Sequence, residues 1–269
     1  MKRTYSLAQL IALPFDPPRL VQLAADTGAD ACGIRLLPAA PGGIHHPLMD
    51  NEALTRETMA RIAGTGVRVL DLEMIRIAPD FDAARFLPFM DVGQRIGARH
   101  ILVAGDDADE ARLSANFARL CEAADRFGLS CDLEFMPWTQ VPNVAAARRV
   151  VEAAAHPAGG VLVDALHFAR SASSLDEVRQ LPRDRLRYAQ MCDGAVPGPT
   201  TTEGLVFDAR CARLLPGEGG IDLRGLFAAL PADLPVSIEI PHDVRAPAMG
   251  YEAWAKAAFV ATQRVMEGL

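Results

Sequence analysis

Four polar residues interrupt apolar stretches in the C-terminal half of the chain: Glu134 in DLEFM, Asp164 in VLVDALH, Gln190 in RYAQMCD and Glu239 in VSIEIP. A carboxylate inside an apolar strand is costly to bury unless it is paired or coordinates a cation. All four lie toward the C-terminal ends of their stretches, so neighbouring strands at similar depth would bring the side chains to one point. Three carboxylates and one amide carbonyl form a hard, oxygen-only set. That set suits one Mg²⁺ or Mn²⁺ ion with positions left for water or substrate, whereas zinc would ask for His or Cys. Internal ion pairing with Arg35 or Arg76 is the competing account, and four aligned residues on consecutive strands outweigh it.

Further candidates surround these four. His167, three residues after Asp164, is placed at a strand end, where an imidazole works as acid or base near neutral pH. A packed histidine bonded to backbone is the plainer alternative. Arg210 and Arg213, in DARCARLLPGEGG, could hold a substrate carboxylate or phosphate through bidentate hydrogen bonds, and Arg76 has the same standing. A solvated loop arginine is the alternative for each. Glu73 reads equally as a site residue or as a buried partner for Arg35.

Elements at regular intervals must position these groups. Short β-rich apolar runs at 4–10, 31–37, 67–75, 100–105, 130–136, 160–168, 185–193 and 235–241 alternate with helical stretches. The helical periodicity covers 17–28, 51–64, 82–97, 108–128, 143–155, 173–180, 222–230 and 249–267, several of them opening on a capping Asp, Asn or Ser. Gly28, Gly66, Gly97 and Gly128 fall where left-handed helix ends are needed. Strict alternation implies parallel strands covered by helices, and eight such units predict one α/β domain over 1–269, a (β/α)8 TIM barrel. A doubly wound sheet would carry a Gly-rich phosphate loop after strand one, but that loop reads IALPFDPP. The two long connections, 38–50 and 194–221, follow strand ends on the catalytic face of such a barrel.

Composition narrows the class of function. The chain has 269 residues, 50% of them hydrophobic, and a formal charge of −7 with no basic block, which argues against nucleic-acid or membrane partners and favours a small-molecule substrate. Five cysteines without a CxxC pair suit a reducing cytoplasm. MKRTYSLAQLIALPF lacks a small-residue cleavage site and reads as a first strand, and no stretch approaches a membrane span. The Ala-rich last helix permits a homodimer without requiring one.

The segments LEFMPW, LVDALHF, YAQMCD, RLLPGEGGIDL and SIEIP, in this order, resemble the sugar phosphate isomerase/epimerase superfamily, the xylose-isomerase-like barrels. The resemblance implies a divalent-metal site made by Glu134, Asp164, Gln190 and Glu239. Most members place His on strand seven. Gln190 there, the Asp164-x-x-His167 pair, the Gln190-Met-x-Asp193 run and two arginines before Pro-Gly-x-Gly are similar to bacterial 3-dehydroshikimate dehydratases. By that resemblance His167 is an acid/base group, while Arg210, Arg213 and Arg76 grip a substrate carboxylate. A ketose 3-epimerase would use a further glutamate shortly after strand five, where this chain has Gln140.

The expected chemistry is removal of a proton next to a carbonyl with the enolate stabilised by the metal, His167, Glu134 and Glu239 carrying the reaction. Loss of a β-hydroxyl then gives dehydration, and reprotonation gives isomerisation or epimerisation of a ketose or aldose. Dehydration of a cyclic hydroxy-keto acid such as 3-dehydroshikimate agrees best with Gln190 and the arginine pair. A non-catalytic ligand-binding barrel is the alternative of another class.

Overall fold

The computed structural model describes residues 3–269 and shows eight parallel strands closed into a barrel in sequence order. They are β1 (Tyr5–Leu7), β2 (Ala31–Arg35), β3 (Arg68–Ile77), β4 (His100–Gly105), β5 (Ser130–Glu134), β6 (Gly159–Asp164), β7 (Ala189–Met191) and β8 (Val236–Ile238). The seam is closed by pairing of Tyr5 with Val236 and of Leu7 with Ile238. Helices α1 (Pro17–Thr27), α2 (Glu52–Thr65), α3 (Leu87–Arg95), α4 (Glu110–Asp125) and α5 (Val144–Ala154) follow the first five strands in turn. β6 runs directly into α6 (Ala165–Arg170), which α7 (Leu175–Arg179) follows. After β7 come α8 (Thr202–Cys211) and α9 (Leu223–Ala229), and after β8 come α10 (Arg245–Met249) and α11 (Tyr251–Met266).

Alternation along the strands divides the core into two shells. Leu7, Cys32, Val69, Ile101, Leu133, Val163, Met191 and Ile238 join the helices in the outer apolar shell. A smaller cluster including Leu70, Leu102, Leu162 and Tyr188 fills the inside of the barrel. Helix entry is set by side chains as the composition implied: Asp16, Asn51, Asp109, Asn143 and Asp222 each accept a backbone N–H of the first turn. At the other end, Gly28 closes α1 with φ 92°, a left-handed conformation that a side chain would strain. Gly66, Gly97 and Gly128 also carry positive φ.

Three sequence expectations need correction. Strand six, read as running through Phe168, stops at Asp164, because the Asp164 carboxylate accepts the His167 N–H at 2.9 Å and starts α6. His167 therefore sits in the first turn of a helix rather than on a strand end. The 194–221 stretch, read as a loop, contains the ten-residue helix α8, and the strand runs 4–10, 185–193 and 235–241 shorten to three ladder residues each. Among the described residues no helix is long and apolar enough to cross a membrane.

Candidate active site

Parallel register carries the four oxygen-bearing side chains to the same end of the barrel. Glu134 and Asp164 are the last residues of β5 and β6, Gln190 lies in β7, and Glu239 follows the last residue of β8. Oxygen atoms of Glu134, Asp164 and Glu239 lie within 4.8 Å of one another, all three side chains buried. Gln190 Nε2 donates to Glu239 Oε1 at 3.0 Å. Its own Oε1 and Glu134 Oε1 are buried without a hydrogen-bond partner. Burial, with repulsion from Glu239 and Asp164, pushes the Glu134 carboxyl well above the ordinary range. Burial, reinforced by Glu73 and Asp164, pushes Glu239 up to about 7.

One cation of the chain already reaches this cluster. Arg213 Nη1 donates to Asp164 Oδ2 at 2.6 Å, and Nη2 lies 2.9 Å from Glu239 Oε2. Nε also donates to Ala209 O at 2.8 Å, and Nη1 to Glu239 O at 3.2 Å and Cys192 Sγ at 3.4 Å. Arg213 is thus committed to two of the carboxylates. Against the cost of burial, Arg213 and His167 hold the Asp164 carboxyl below its ordinary value.

The backbone fixes Arg213 from both sides. Asp193 and Leu214 exchange N–H···O bonds of 3.0 and 2.9 Å, Arg213 N–H donates to Pro241 O at 3.1 Å, and Ala212 bridges to His242. The 212–214 segment is therefore stitched across the ends of β7 and β8. Asp193 also gathers the following turn, its carboxylate accepting N–H groups of Gly194 (2.8 Å), Gly217 (2.9 Å), Gly219 (3.0 Å) and Ile221 (3.2 Å). Removing that acceptor strands four donors, one buried and three partly buried. Asp193→Ala is expected to cost about 2–3 kcal/mol of stability, read by urea unfolding, and to open 215–221 to protease. Wild-type stability with wild-type protease resistance would show that the glycine turn stands without it.

His167 is buried, its Nε2 lies 3.7 Å from Glu134 Oε1, and Trp138 meets the ring edge-on at 5.1 Å. Burial, with help from Arg213 and Arg170 and against Asp164, pushes its pKa down to about 4, so the imidazole is neutral at pH 7. A cavity of about 50 Å³ connects His167, Glu134, Glu239, Arg213, Trp138, Arg35, Arg76 and Arg210. Arg35 is paired to Glu73 and Arg76 to Asp106. Arg210, half-buried in the last turn of α8, has no ion pair or side-chain hydrogen bond among the described residues. Burial and the facing guanidiniums of Arg76 and Arg35 press its pKa down, a strain that an incoming anion relieves.

Of the residues singled out from sequence, Glu134, Glu239, His167, Arg76, Arg210 and Arg213 line this cavity, and Asp164 and Gln190 adjoin it through Arg213 and Glu239. The Asp193 cage and the inward face of Arg35 were missed. An acid closing the apolar YAQMCD run was the available signal for the first; a charged residue closing an otherwise apolar strand was the signal for the second.

An oxygen-only set of three carboxylates with an orphaned amide oxygen at its side fits a hard divalent cation. Glu134, Asp164 and Glu239, with Gln190, would hold it.

A family model described as xylose isomerase-like TIM barrel matches residues 21–260. The chain is similar to 3-dehydroshikimate dehydratase of Pseudomonas putida, 30% identical over 162 residues, which cover 57% of this chain and 25% of that protein. It thus spans about a quarter of the length of that curated relative. Among solved structures it resembles a xylose isomerase-like TIM barrel/4-hydroxyphenylpyruvate dioxygenase fusion protein, with TM-score 0.81 and 22% identity over 98% of this chain and 43% of that one. It also resembles the IOLI protein with a binding zinc atom, with TM-score 0.78 and 18% identity over 98% of both chains.

Proposed function

The chain belongs to the xylose isomerase-like TIM barrel family, and from that premise we propose that it is a divalent-metal-dependent lyase that dehydrates a cyclic hydroxy-keto acid of the 3-dehydroshikimate type. The observation that carries the reading is a neutral His167 beside an oxygen-only carboxylate cluster, in a cavity where Arg210 is the one unpaired cation among the described residues. The Pseudomonas putida relative, a 3-dehydroshikimate dehydratase, supplies the substrate class.

When bound, a Mg²⁺ or Mn²⁺ ion supplies a Lewis acid next to the substrate carbonyl, where charge develops. The protein does the rest. His167, neutral at pH 7 with its one proton on Nδ1, accepts the proton next to the carbonyl at Nε2, the nitrogen beside Glu134. The β-hydroxyl then leaves with that proton as water. Trp138 and Met136 wall the cavity and keep bulk water away from the reacting carbons.

Charge selects the substrate. Around the cavity the guanidiniums of Arg35, Arg76, Arg210 and Arg213 face the carboxylates of Glu73, Asp106, Glu134, Asp164 and Glu239. Arg35 and Arg76 are each taken up by one carboxylate and Arg213 by two, which leaves Arg210 to meet a substrate carboxylate. Arg210 is the group free to meet that carboxylate; Arg76 flanks it, and Arg213 holds the ligand cluster.

Arg210→Met is expected to raise KM for 3-dehydroshikimate about 10- to 100-fold, the worth of a charged hydrogen bond, with Tm little changed because no protein partner is lost. Unaltered KM would remove the carboxylate assignment. The reading as a whole is tested by elemental analysis and by protocatechuate absorbance on incubation with 3-dehydroshikimate and Mn²⁺. Turnover of ketoses alone would move the chain to the isomerase branch.

A further inference from the structure

Arg35, the last residue of β2, is 6% exposed and lines the cavity together with Glu134, Glu239 and His167. Its Nε and Nη2 both meet Glu73 Oε2, at 2.8 and 2.6 Å. Glu73 is fully buried, and its other oxygen accepts the Gln9 N–H at 3.1 Å. Gln9 closes the ring: its Oε1 accepts the Arg35 N–H at 3.4 Å, and its Nε2 donates to Phe15 O at 3.0 Å. β2, β3 and the helical turn that follows β1 thereby hold Arg35 in place.

A guanidinium carries five N–H donors, and this network uses two of them. The other buried arginine of the site does not behave this way. Arg213 also donates to the backbone oxygens of Ala209 and Glu239 and to Cys192 Sγ. Arg35 has no such acceptor among the described residues, and its free edge borders the cavity. β2 stands across the barrel from β5 and β6, which supply Glu134 and Asp164. The ligand wall and the Arg35 wall thus enclose the same space.

We propose that Arg35 is a substrate-binding residue whose free guanidinium edge hydrogen-bonds a ring hydroxyl or keto oxygen of the substrate, with Glu73 and Gln9 as the residues that position it. The division of labour with Arg210 follows from charge. Arg210 is unpaired and meets a full negative charge; Arg35 is neutralised by Glu73 and offers direction rather than charge. A substrate held at both ends must carry a carboxylate and, across its ring, an oxygen. The inference rests on reading the cavity as the substrate site, and it deepens that reading by naming the second anchor.

The experiment compares Mn²⁺-loaded wild type, Arg35→Lys and Arg210→Met by titration calorimetry with protocatechuate, with catechol, which lacks the carboxylate, and with D-fructose as a polyhydroxylated ketone. Arg35→Lys keeps the charge facing Glu73, so its Tm should match wild type while the forked donor is lost. The expected result is a loss of affinity of about 10-fold or more for both catechol and protocatechuate in Arg35→Lys. Arg210→Met should weaken protocatechuate alone. Wild-type affinity for all ligands in Arg35→Lys, or a loss confined to protocatechuate, would overturn the assignment. If wild type binds only fructose and Arg35→Lys loses it, the dehydratase reading fails while Arg35 stands; binding of none of the three by wild type overturns both.

Discussion

Glu134→Ala and Glu239→Ala are each expected to lower kcat/KM for 3-dehydroshikimate by at least about 10³-fold, roughly 4 kcal/mol of lost charge stabilisation. Bound Mn²⁺ should fall to a small fraction of one per chain. The size of the effect follows from the geometry. Oxygens of three carboxylates within 4.8 Å share one point, so losing one removes a ligand that no neighbouring side chain replaces. The two variants should nonetheless differ in stability. Glu134 Oε1 has no hydrogen-bond partner, and burial near two other acids is unfavourable, so its removal should leave the metal-free fold as stable as wild type or more so. Glu239 accepts from Gln190 and pairs with Arg213, so its removal strands two partners and costs stability. Thermal melts with and without Mn²⁺, beside elemental analysis, separate these effects. Either variant keeping both its metal and its turnover would end the metal-site reading.

Arg213→Met should be the most destabilising substitution around the site in metal-free protein, at about 3–5 kcal/mol. The arginine is buried and holds both Asp164 and Glu239; without it two carboxylates face each other in a dry barrel with no counter-charge. Mn²⁺ should restore most of the loss, because a cation in the cluster neutralises the same pair. The diagnostic is a metal-induced rise in Tm that is larger in Arg213→Met than in wild type. Arg213→Lys, which keeps one charge but not the double-headed geometry, should fall between them. Equal stability of Arg213→Met and wild type without metal would show that the ion pairs contribute nothing to the fold.

How much of this was legible in the sequence depends on the range over which each feature is encoded. The strands and most helices are local: their periods, and caps such as Asp16 and Asn143, lie within one element, and the barrel follows from their alternation. Glu134, Asp164, Gln190 and Glu239 stood out because each is a polar break in an apolar run. The start of α6 was hidden because VLVDALHF is apolar on both sides of Asp164, so a strand and a short helix have the same appearance there. Helix α8 was hidden for the opposite reason, within a stretch rich in Gly, Pro and Thr. The role of Arg213 was beyond reach. It depends on 212–214 pairing with residues around Asp193 and Pro241, contacts between distant stretches that no local pattern encodes. The Glu73–Arg35 pairing was among the alternatives the sequence offered; that its outer edge borders the cavity needed coordinates.

The stitch that joins Asp193 to Leu214 means that the chain leaves the barrel and returns to it at nearly the same place. The stretch 195–211, α8 and Arg210 included, is an excursion whose ends are already fastened. The entropy of closing such an excursion grows only slowly with its length. The segment can therefore be lengthened, shortened or exchanged at small cost, and what it carries is Arg210, the proposed carboxylate anchor, not the oxygen cluster. In evolutionary terms the barrel is a fixed reaction chamber with an interchangeable mouthpiece: descendants that graft a new 195–211 segment should change which acids they accept before they change the chemistry.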